Sequence, residues 1–367
     1  MDFAPTPQQQ LLIHTARTFL QQQCPPERVQ ALALEPAGFA HDLWKSMATL
    51  GWPGLLIPPA LGGSGGSMLD VVTLVEEMGR ACVPSPFIPS AVVATAMLTS
   101  SSSGRARELL PAMALGERVV AIAIVEEAGS YALETLAMRA EAPGWLRGRK
   151  LFVKDAHVAS DVVVVARIGD AVNACLLPMD RPGITVRPLP VMGDEKLFEL
   201  EFAGVEVRGD ELLSAADGAD LVTRGMTLGA LARSAEMLGC ASRILDLCVE
   251  YAQLRVQSGR PIGAFQAIQH QCADLLRDVE SSRWLVYEAA WRASEGLDPS
   301  SAVATAKAFG TEACLRVARR GHQIMGAIGY CEEHPLHLLH KRILAAGLDW
   351  GDSAFHLEAV AQSIGLA

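Results

Sequence analysis

Residues 255–271 read RVQSGRPIGAFQAIQHQ, and they interrupt a helical pattern that extends far on both sides. The stretch contains two glycines and a proline, which cost about 1 and about 3 kcal/mol, respectively, inside a helix. Two helices therefore meet here. The loop between them presents Arg255, Gln257 and Gln266 on backbone that a ligand can approach closely.

Apolar residues recur at helical spacing on both sides of this loop. The pattern predicts one helix immediately before the loop, over 219–256. It predicts three more after the loop, over 264–292, 300–325 and 346–364. Near the N terminus it predicts helices over 8–23, 43–50, 71–82 and 90–98, with a loop rich in proline and glycine over 51–67.

The pattern changes near residue 119. Short β-branched runs bounded by Gly, Pro, Asp and Asn follow one another without intervening helices: VVAIAIVEE, WLRGRKLFVKD, SDVVVVARI, NACLLPM, ITVRPLP and KLFELEFAGVEV. This spacing is typical of a β-barrel or β-sandwich. The sequence therefore predicts an α+β protein with a helical N-terminal domain (1–115), a middle β domain (116–212) and a C-terminal four-helix bundle (213–367).

Charge and composition exclude several classes of function. The 367 residues carry a formal net charge of -10, which argues against a nucleic-acid surface or an anionic membrane surface. An anionic ligand would have to be held by local arginines and helix N-termini. The N-terminal sequence MDFAPTPQQQ lacks the features of a signal peptide, and no apolar run reaches the ~20 residues that span a bilayer.

The eight cysteines form no Cys-x-x-Cys pair, so we expect buried thiols in a reducing cytoplasm. His334, His337 and His340 recur at three-residue intervals, which resembles a row of metal ligands. A polar helix flank next to Pro335 explains them better, since no second cluster of thiolates or carboxylates accompanies them. The sequence therefore predicts no metal site.

Four stretches, in this order along the chain, together with the α–β–α layout, resemble the acyl-CoA dehydrogenase family. They are GWPGLLIPPALGGSGGS (51–67), LRGRKLFVKDAHVASDVVVVAR (146–167), RVQSGRPIGAFQAIQH (255–270) and HQIMGAIGYCEEHPLH (322–337). The third matches the family's R-x-x-F-G-x-x-I-x-x-F-Q loop, and the fourth its Q-x-x-G-G-x-G-[FY] segment. The resemblance implies FAD, a CoA thioester substrate and a tetramer built around the C-terminal bundle.

Several residues match family positions that bind FAD. Arg255 matches the arginine that reaches the cofactor of a neighbouring subunit, where a guanidinium can contact a pyrophosphate. The alternative is a solvated cation at a helix end. Gln257 and Gln266 match polar neighbours of that site, or they stabilise the loop. Gln323 and Gly326 match the cradle for the adenine end, although Gly326 also suits a helix C-cap.

In the middle domain, Phe152 and Lys154 match positions where the family places an aromatic and a hydrogen-bonding residue against the flavin; the alternative is plain strand alternation. The chain departs from the family pattern in three places. Ser258 replaces the loop's phenylalanine, Ala327 replaces the second glycine of Q-x-x-G-G, and VEEAGSY (125–131) is a shortened form of the loop that covers the flavin.

The desaturation reaction of the family needs a carboxylate that takes the Cα proton of the thioester. Family members carry this glutamate in one of two places. Counting from Gly329, the first place holds Trp350, within LDWGDS; counting back from Gly239, the second holds Gly229. Neither residue accepts a proton, so the resemblance predicts a chain without the family base.

Three nearby acids are possible substitutes: Asp349, Asp352 and Glu236. Each has a structural alternative, because the two aspartates suit caps of the final helix and Glu236 suits an ion pair with Arg233 or Arg243. An aspartate is also shorter by one methylene, and a displacement of about 1 Å can cost about 100-fold in rate.

Three functional hypotheses remain open. The first is a cytoplasmic acyl-CoA dehydrogenase subunit that joins a related chain in a heterotetramer and passes electrons to electron-transfer flavoprotein or a similar acceptor. Its ending LDWGDSAFH resembles chains that act on steroid-derived or other bulky acyl-CoA esters. The second is a self-sufficient homo-oligomer, a dimer or tetramer, with a substitute acid or with chemistry that needs no base. The third is a flavin-poor, CoA-binding paralogue.

Overall fold

The computed structural model describes residues 4–36, 38–140, 144–191, 195–214 and 218–366. The helices are α1 Pro7–Gln23, α2 Pro26–Leu34, α3 His41–Thr49, α4 Met68–Arg80, α5 Thr95–Thr99, α6 Gly104–Ala114, α7 Ala219–Leu254, α8 Gln266–Ser294, α9 Ser300–Met325, α10 Leu336–Leu348 and α11 Ser353–Ser363. A π-helix, Phe87–Ala94, leads directly into α5. The strands are β1 Val120–Ala123, β2 Arg139–Ala140, β3 Gly144–Lys154, β4 Asp161–Ile168, β5 Ala171–Pro178, β6 Ile184–Pro188, β7 Leu197–Val207, β8 Val256–Gln257 and β9 Arg260–Pro261.

The order of helices, then strands, then helices confirms the predicted α+β class. Within the described ranges, none of the helices combines the length and apolar character needed to cross a bilayer. The chain forms two compact units. The first consists of Met1–Ala31, Met68–Val83 and Ala230–Ala367, and the second of Leu32–Ser67 and Pro84–Gly229.

The first unit is helical, and its centre is the hairpin of α8 and α9. Helices α10 and α11 pack against α9, while α4 packs against α1 and α8. Within the part of α7 that belongs to this unit, residues 230–242 are all buried, and most of them are apolar, which explains why the pattern predicts one uninterrupted helix. α1 begins where the sequence suggests, since Thr6 and Gln9 form a capping box ahead of Pro7.

The second unit contains two β-sheets. In one, β4 pairs in parallel with β1 and β2 and antiparallel with β5; in the other, β7 lies between β3 and β6, antiparallel to both. Side chains from both sheets form one apolar cluster, which includes Val164, Cys175, Leu146 and Leu200. Two sheets that share a core form a sandwich, which confirms the predicted β architecture.

Two predictions need correction. The single helix predicted over 346–364 is in fact the end of α10, a break at 349–352 and then α11, because Gly351 adopts φ +98° and Asp352 caps a new helix. The expectation that all eight cysteines are buried holds for six of them. Cys272 is half-buried and Cys331 is exposed, and all eight are free thiols.

Candidate cofactor and active site

The arginine loop folds as a small hairpin. Strands β8 and β9 are joined by Ser258 and Gly259, which both have positive φ, +50° and +77°. A two-residue hairpin turn of this kind requires positive φ at both positions, which explains why glycine suits the second one. The guanidinium of Arg260 lies 4.2 Å above the ring of Phe265, so the aromatic residue of this motif stacks within the loop itself.

Three polar side chains of the arginine loop have no partner among the residues that the structure describes. Arg255, Gln257 and Gln266 are all exposed. Across the residues that the structure describes, none of the three side chains forms a hydrogen bond or ion pair. Their donors are therefore available to a group that does not belong to this part of the chain.

The pairing of α8 with α9 brings the segment 322–337, which contains Gln323, close to the arginine loop at the start of α8. Asp274 accepts from Arg320 at 2.6 Å, and Asp278 accepts from Arg316 at 3.0 Å, so a step of four along α8 matches a step of four back along α9. Continuing this register places Gln323 opposite the first turns of α8. Two motifs more than fifty residues apart in sequence thus meet at one end of the first unit.

Gln323 and Gly326 are also accessible. Gln323 is exposed, and no side-chain partner for it exists within the described ranges. Gly326 ends α9 with φ +63° and ψ -141°, a conformation that favours glycine, and a Cβ placed there would meet no atom within 4 Å. Its backbone is open to a close approach, and the C-cap role that the sequence suggested is present as well.

In the second unit, Phe152 lies on a bulge of β3. The register between β3 and β7 shifts between Lys150 and Val153, and Phe152 has φ +57° with half of its side chain exposed. Bulges re-aim side chains, so the aromatic ring leaves the alternation of the strand. The ammonium of Lys154 contacts the carboxylate of Glu195.

The first family position for the base holds a buried tryptophan. Trp350 lies in the break between α10 and α11, is 5% exposed and has φ +59°. A bulky residue in this region of backbone conformation stores about 1–3 kcal/mol of strain, which the surrounding contacts must offset. The second position, Gly229, is a buried residue inside α7. Neither position supplies a carboxylate.

Two of the three substitute acids are held by arginines. Both oxygens of Glu236 accept from guanidinium groups: Oε2 from Arg233, and Oε1 from Arg342 at 2.8 Å. Oδ2 of Asp349 accepts from both Nε and Nη2 of Arg233, each at 2.7 Å. The third, Asp352, is exposed and accepts from the backbone N–H of Phe355 at 2.8 Å as the N-cap of α11.

Three further contacts hold the break at 349–352. Lys307 is completely buried, and its Nζ donates to the carbonyls of Gly347 at 2.9 Å and Gly351 at 2.7 Å. Burial lowers the pKa of this lysine to about 8. Nε2 of His356 donates to the Trp350 carbonyl at 3.0 Å, and burial lowers the pKa of this histidine to about 4, with Lys307 acting in the same direction.

Sequence reasoning found part of this network. It offered Arg233 as a partner for Glu236, because a lone arginine three residues before a glutamate falls on the same helix face. It missed Arg342, Lys307 and His356, since these reach their partners across 40 or more residues or through backbone carbonyls. A charged residue inside an apolar helical run, as at Lys307, is the signal that could have found them.

Two domain descriptions of one protein family match the chain. "Acyl-CoA dehydrogenase, N-terminal domain" matches residues 6–117, and "Acyl-CoA dehydrogenase, C-terminal domain" matches residues 216–365. Among curated relatives, the acyl-CoA dehydrogenase IpdE2 of Mycolicibacterium smegmatis is 30% identical over 91% of this chain and 92% of its own length. The benzylmalonyl-CoA dehydrogenase of Aromatoleum aromaticum is 31% identical, with 92% of each chain covered.

Among solved structures, the ChsE4–ChsE5 complex from Mycobacterium tuberculosis contains a chain that superposes with a TM-score of 0.91 at 28% identity, over 100% of both chains. Together with the fold, these matches confirm the resemblance seen in the motifs. The chain belongs to the acyl-CoA dehydrogenase family of FAD-dependent oxidoreductases.

Proposed function

We propose that this chain is a flavin-bearing subunit of an acyl-CoA α,β-desaturase and that a related partner chain supplies the base. One observation carries the proposal. Both family positions for the base lack an acid, and the two acids that lie near them in the first unit are held by Arg233 and Arg342. The chain therefore has exposed polar residues at the family's cofactor positions. Near the family's base positions, by contrast, its acids are already paired with arginines.

The residues present fit FAD. Arg255, Gln257, Gln266 and Gln323 offer donors that are exposed and unpaired within the described chain, and Gly326 leaves room for a close backbone approach. A guanidinium and amides suit a pyrophosphate and the polar edge of an adenine. The exposed ring of Phe152 suits the flat face of a flavin. When bound, FAD supplies the hydride acceptor of the reaction.

Proton removal makes a separate demand on the protein. The Cα proton of a thioester is weakly acidic, so a carboxylate must lie within hydrogen-bond reach of it. Glu236 cannot meet this demand without releasing a guanidinium, and Asp352 is committed to the first turn of α11. A base from outside the chain meets it without disturbing either contact.

The heteromeric arrangement has a parallel among the structural neighbours, because the ChsE4–ChsE5 structure is a complex. We extend the proposal to the cellular partners: a CoA thioester as substrate, a related dehydrogenase chain in a heterotetramer, and electron-transfer flavoprotein or a similar acceptor. The bulky acyl group suggested by LDWGDSAFH belongs to the same proposal.

The test is anaerobic titration of the separately expressed chain with FAD and then with hexanoyl-CoA and 3-phenylpropanoyl-CoA. We expect the protein to bind FAD and the flavin absorbance band to shift without bleaching. Addition of the related chain that co-purifies from the native host should then bleach the flavin with at least one thioester. Rapid bleaching by the lone chain would disprove the need for a partner.

Three variants separate the alternatives. If the lone chain is active, Asp349→Asn, Asp352→Asn and Glu236→Gln should show which carboxylate acts as the substitute acid, since the loss of a true base removes nearly all of the rate. If none of the three variants lowers the rate, chemistry that needs no base is favoured. A colourless protein that does not take up FAD would instead support the flavin-poor, CoA-binding paralogue.

A further inference from the structure

Helices α1, α2, α4, α7 and α10 surround a cleft of about 470 Å³, and all of its described lining residues belong to the first unit. Its floor is apolar and formed by side chains that are at most 5% exposed: Leu20, Val29, Cys82, Leu338 and Leu339. Clefts of about 300–1,000 Å³ with apolar walls and a few polar groups are typical sites for small molecules. The described lining includes none of the residues assigned above to FAD or to proton removal.

Three arginines contribute to the lining of the cleft, and two of them are committed to acids of the same unit. Arg17 donates from Nε and Nη2 to the two carboxylate oxygens of Glu77, at 2.9 and 2.6 Å. Arg80 contacts the carboxylate of Asp246, and its Nε lies 4.0 Å from Glu77. These two positive and two negative charges neutralise one another, so neither arginine is left to bind an anion from solution.

The third arginine, Arg243, is bound less completely. Its Nη1 donates one hydrogen bond of 3.3 Å to Glu250, whose side chain is 59% exposed. An exposed pair of this kind stabilises the fold by less than about 1 kcal/mol. Among the described residues, Nε and Nη2 of Arg243 have no partner. These two nitrogens form the edge of a guanidinium that holds a carboxylate through two parallel hydrogen bonds.

We propose that the cleft binds a free fatty acid, whose carboxylate pairs with the Nε–Nη2 edge of Arg243 and whose hydrocarbon chain covers the apolar floor. One uncommitted cationic edge matches a ligand with a single negative charge. A CoA thioester carries several phosphate charges, and the acids around the cleft, Glu77, Asp246 and Glu250, would repel them. The cleft therefore suits the acid that remains when a thioester is hydrolysed, at a site separate from the proposed cofactor residues.

The two parts of this ligand contribute differently to binding. Each methylene that leaves water for the floor strengthens binding by about fourfold, so the length of the chain sets the affinity. A bond between a carboxylate and a guanidinium strengthens binding by about 10- to 100-fold, so Arg243 sets the preference for an anionic head group. The proposal therefore predicts separate responses to a change of chain length and to a change of head-group charge.

The first experiment is calorimetric titration of the full chain, with and without FAD, against probes kept below the concentrations at which they form micelles. Sodium decanoate should bind at one equivalent. Sodium hexanoate, which has four fewer methylenes, and decyltrimethylammonium, which has the opposite charge, should each bind at least tenfold more weakly. Equal affinity for decanoate and decyltrimethylammonium, or no binding of decanoate, would overturn the proposal.

Three variants test the site itself. Arg243→Met should weaken decanoate binding about 10- to 100-fold and leave 1-decanol within twofold of wild type. Ala81→Phe fills the cleft from a partly exposed position just after α4, and it should weaken both ligands. The matched control is Arg208→Met, which removes an exposed arginine from the second unit and should change neither. Equal losses in Arg208→Met and Arg243→Met, or undiminished binding in both cleft variants, would contradict the proposal.

Photo-crosslinking locates the ligand independently of affinity. A decanoic acid that carries a diazirine near its end should label peptides containing residues 17–29 and 335–339, which line the cleft. Excess decanoate should suppress this labelling, and so should Ala81→Phe. The results do not depend on bound flavin, so the proposed function can fail without changing them. Labels confined to other peptides would show that the fatty acid binds elsewhere and would disprove the assignment.

Discussion

Polar side chains are exposed in the arginine hairpin (256–261, with Arg255 before it), but polar groups are paired in the loop at 349–352. In the hairpin, Arg255 and Gln257 are exposed, and neither has a side-chain partner among the described residues. In the loop, Asp349 is paired with buried Arg233, and the backbone carbonyls accept from Lys307 and His356. Both regions contain a non-glycine residue with positive φ, Ser258 or Trp350.

The difference separates a region whose polar groups are available for binding from one whose polar groups stabilise or orient the fold. Unpaired donors on a preformed turn contribute little to folding and are available for binding. A closed set of buried charges contributes to folding or to orientation, because none of its members can change partner without leaving a charge uncompensated. The exposed donors of the hairpin are therefore free to contact another molecule, as the proposal requires, whereas the polar groups of the loop bind the helices of their own chain.

The largest effect should come from opening the closed network. Arg233→Met leaves partly exposed Asp349 without its arginine and leaves Glu236 with Arg342 alone, and removing one partner of a buried ion pair costs about 3–5 kcal/mol. Urea unfolding at fixed protein concentration measures the loss. The matched control is Arg243→Met on the same helix, which removes an exposed pair with Glu250 and should cost less than about 1 kcal/mol. Similar losses in both variants would remove the distinction between the two regions.

The next effect depends on pH. The pKa of His356 falls from 6.5 to about 4 on folding, so between these values the unfolded chain binds a proton that the folded chain does not. Stability from this residue is therefore complete above pH 6.5 and declines by about 2–3 kcal/mol as the pH falls to 4.

The measurement is the free energy of unfolding at several pH values for wild type, His356→Gln and His14→Gln. Glutamine can keep the bond to the Trp350 carbonyl without titrating, so we expect a shallower decline below pH 6.5. His14 is exposed, and its variant should follow wild type. Parallel curves for all three proteins would show that the loop does not hold a neutral histidine.

The smallest effect on folding, and the largest on binding, should come from the hairpin. Arg255→Ala should leave the free energy of unfolding of the apoprotein within about 0.5 kcal/mol of wild type, since its exposed side chain has no partner among the described residues. FAD should bind about 10- to 100-fold more weakly, the equivalent of one charge-assisted bond. Arg260→Ala removes the same charge from a side chain that stacks on Phe265, and it should leave FAD affinity unchanged. Equal FAD affinity in all three proteins would mean that the cofactor binds elsewhere.

The sequence predicted regular elements better than it predicted contacts. α9 lies over the predicted residues, since its apolar spacing is regular and Pro299 precedes it. For the first part of α10 the sequence predicted only a polar helix flank next to Pro335, without bounds, because its histidines and Lys341 obscure the apolar face. The positions of Trp350 and Gly229 followed from counting within motifs, a step that needs no knowledge of packing.

The contacts depend on how distant segments fold together. Spacing along the chain is enough to predict the ion pair between Arg233 and Glu236, three residues apart, and the helix cap at Asp352. It could not bring Arg342 to the other oxygen of Glu236 across 106 residues. The assignments of Arg255, Gln257, Gln266, Gln323, Gly326, Phe152 and Lys154 to the cofactor, and the domain limits at 115 and 212, stay predictions.

The uneven burial of the thiols makes this chain easy to label. Six cysteines are buried, and burial raises the pKa of half-buried Cys272, whereas Cys331 is exposed directly after the segment that contains Gly326. A maleimide dye at neutral pH should attach there first, because attack requires an accessible thiolate. A single fluorophore could then follow dinucleotide loading in real time, in a protein with no cysteine removed.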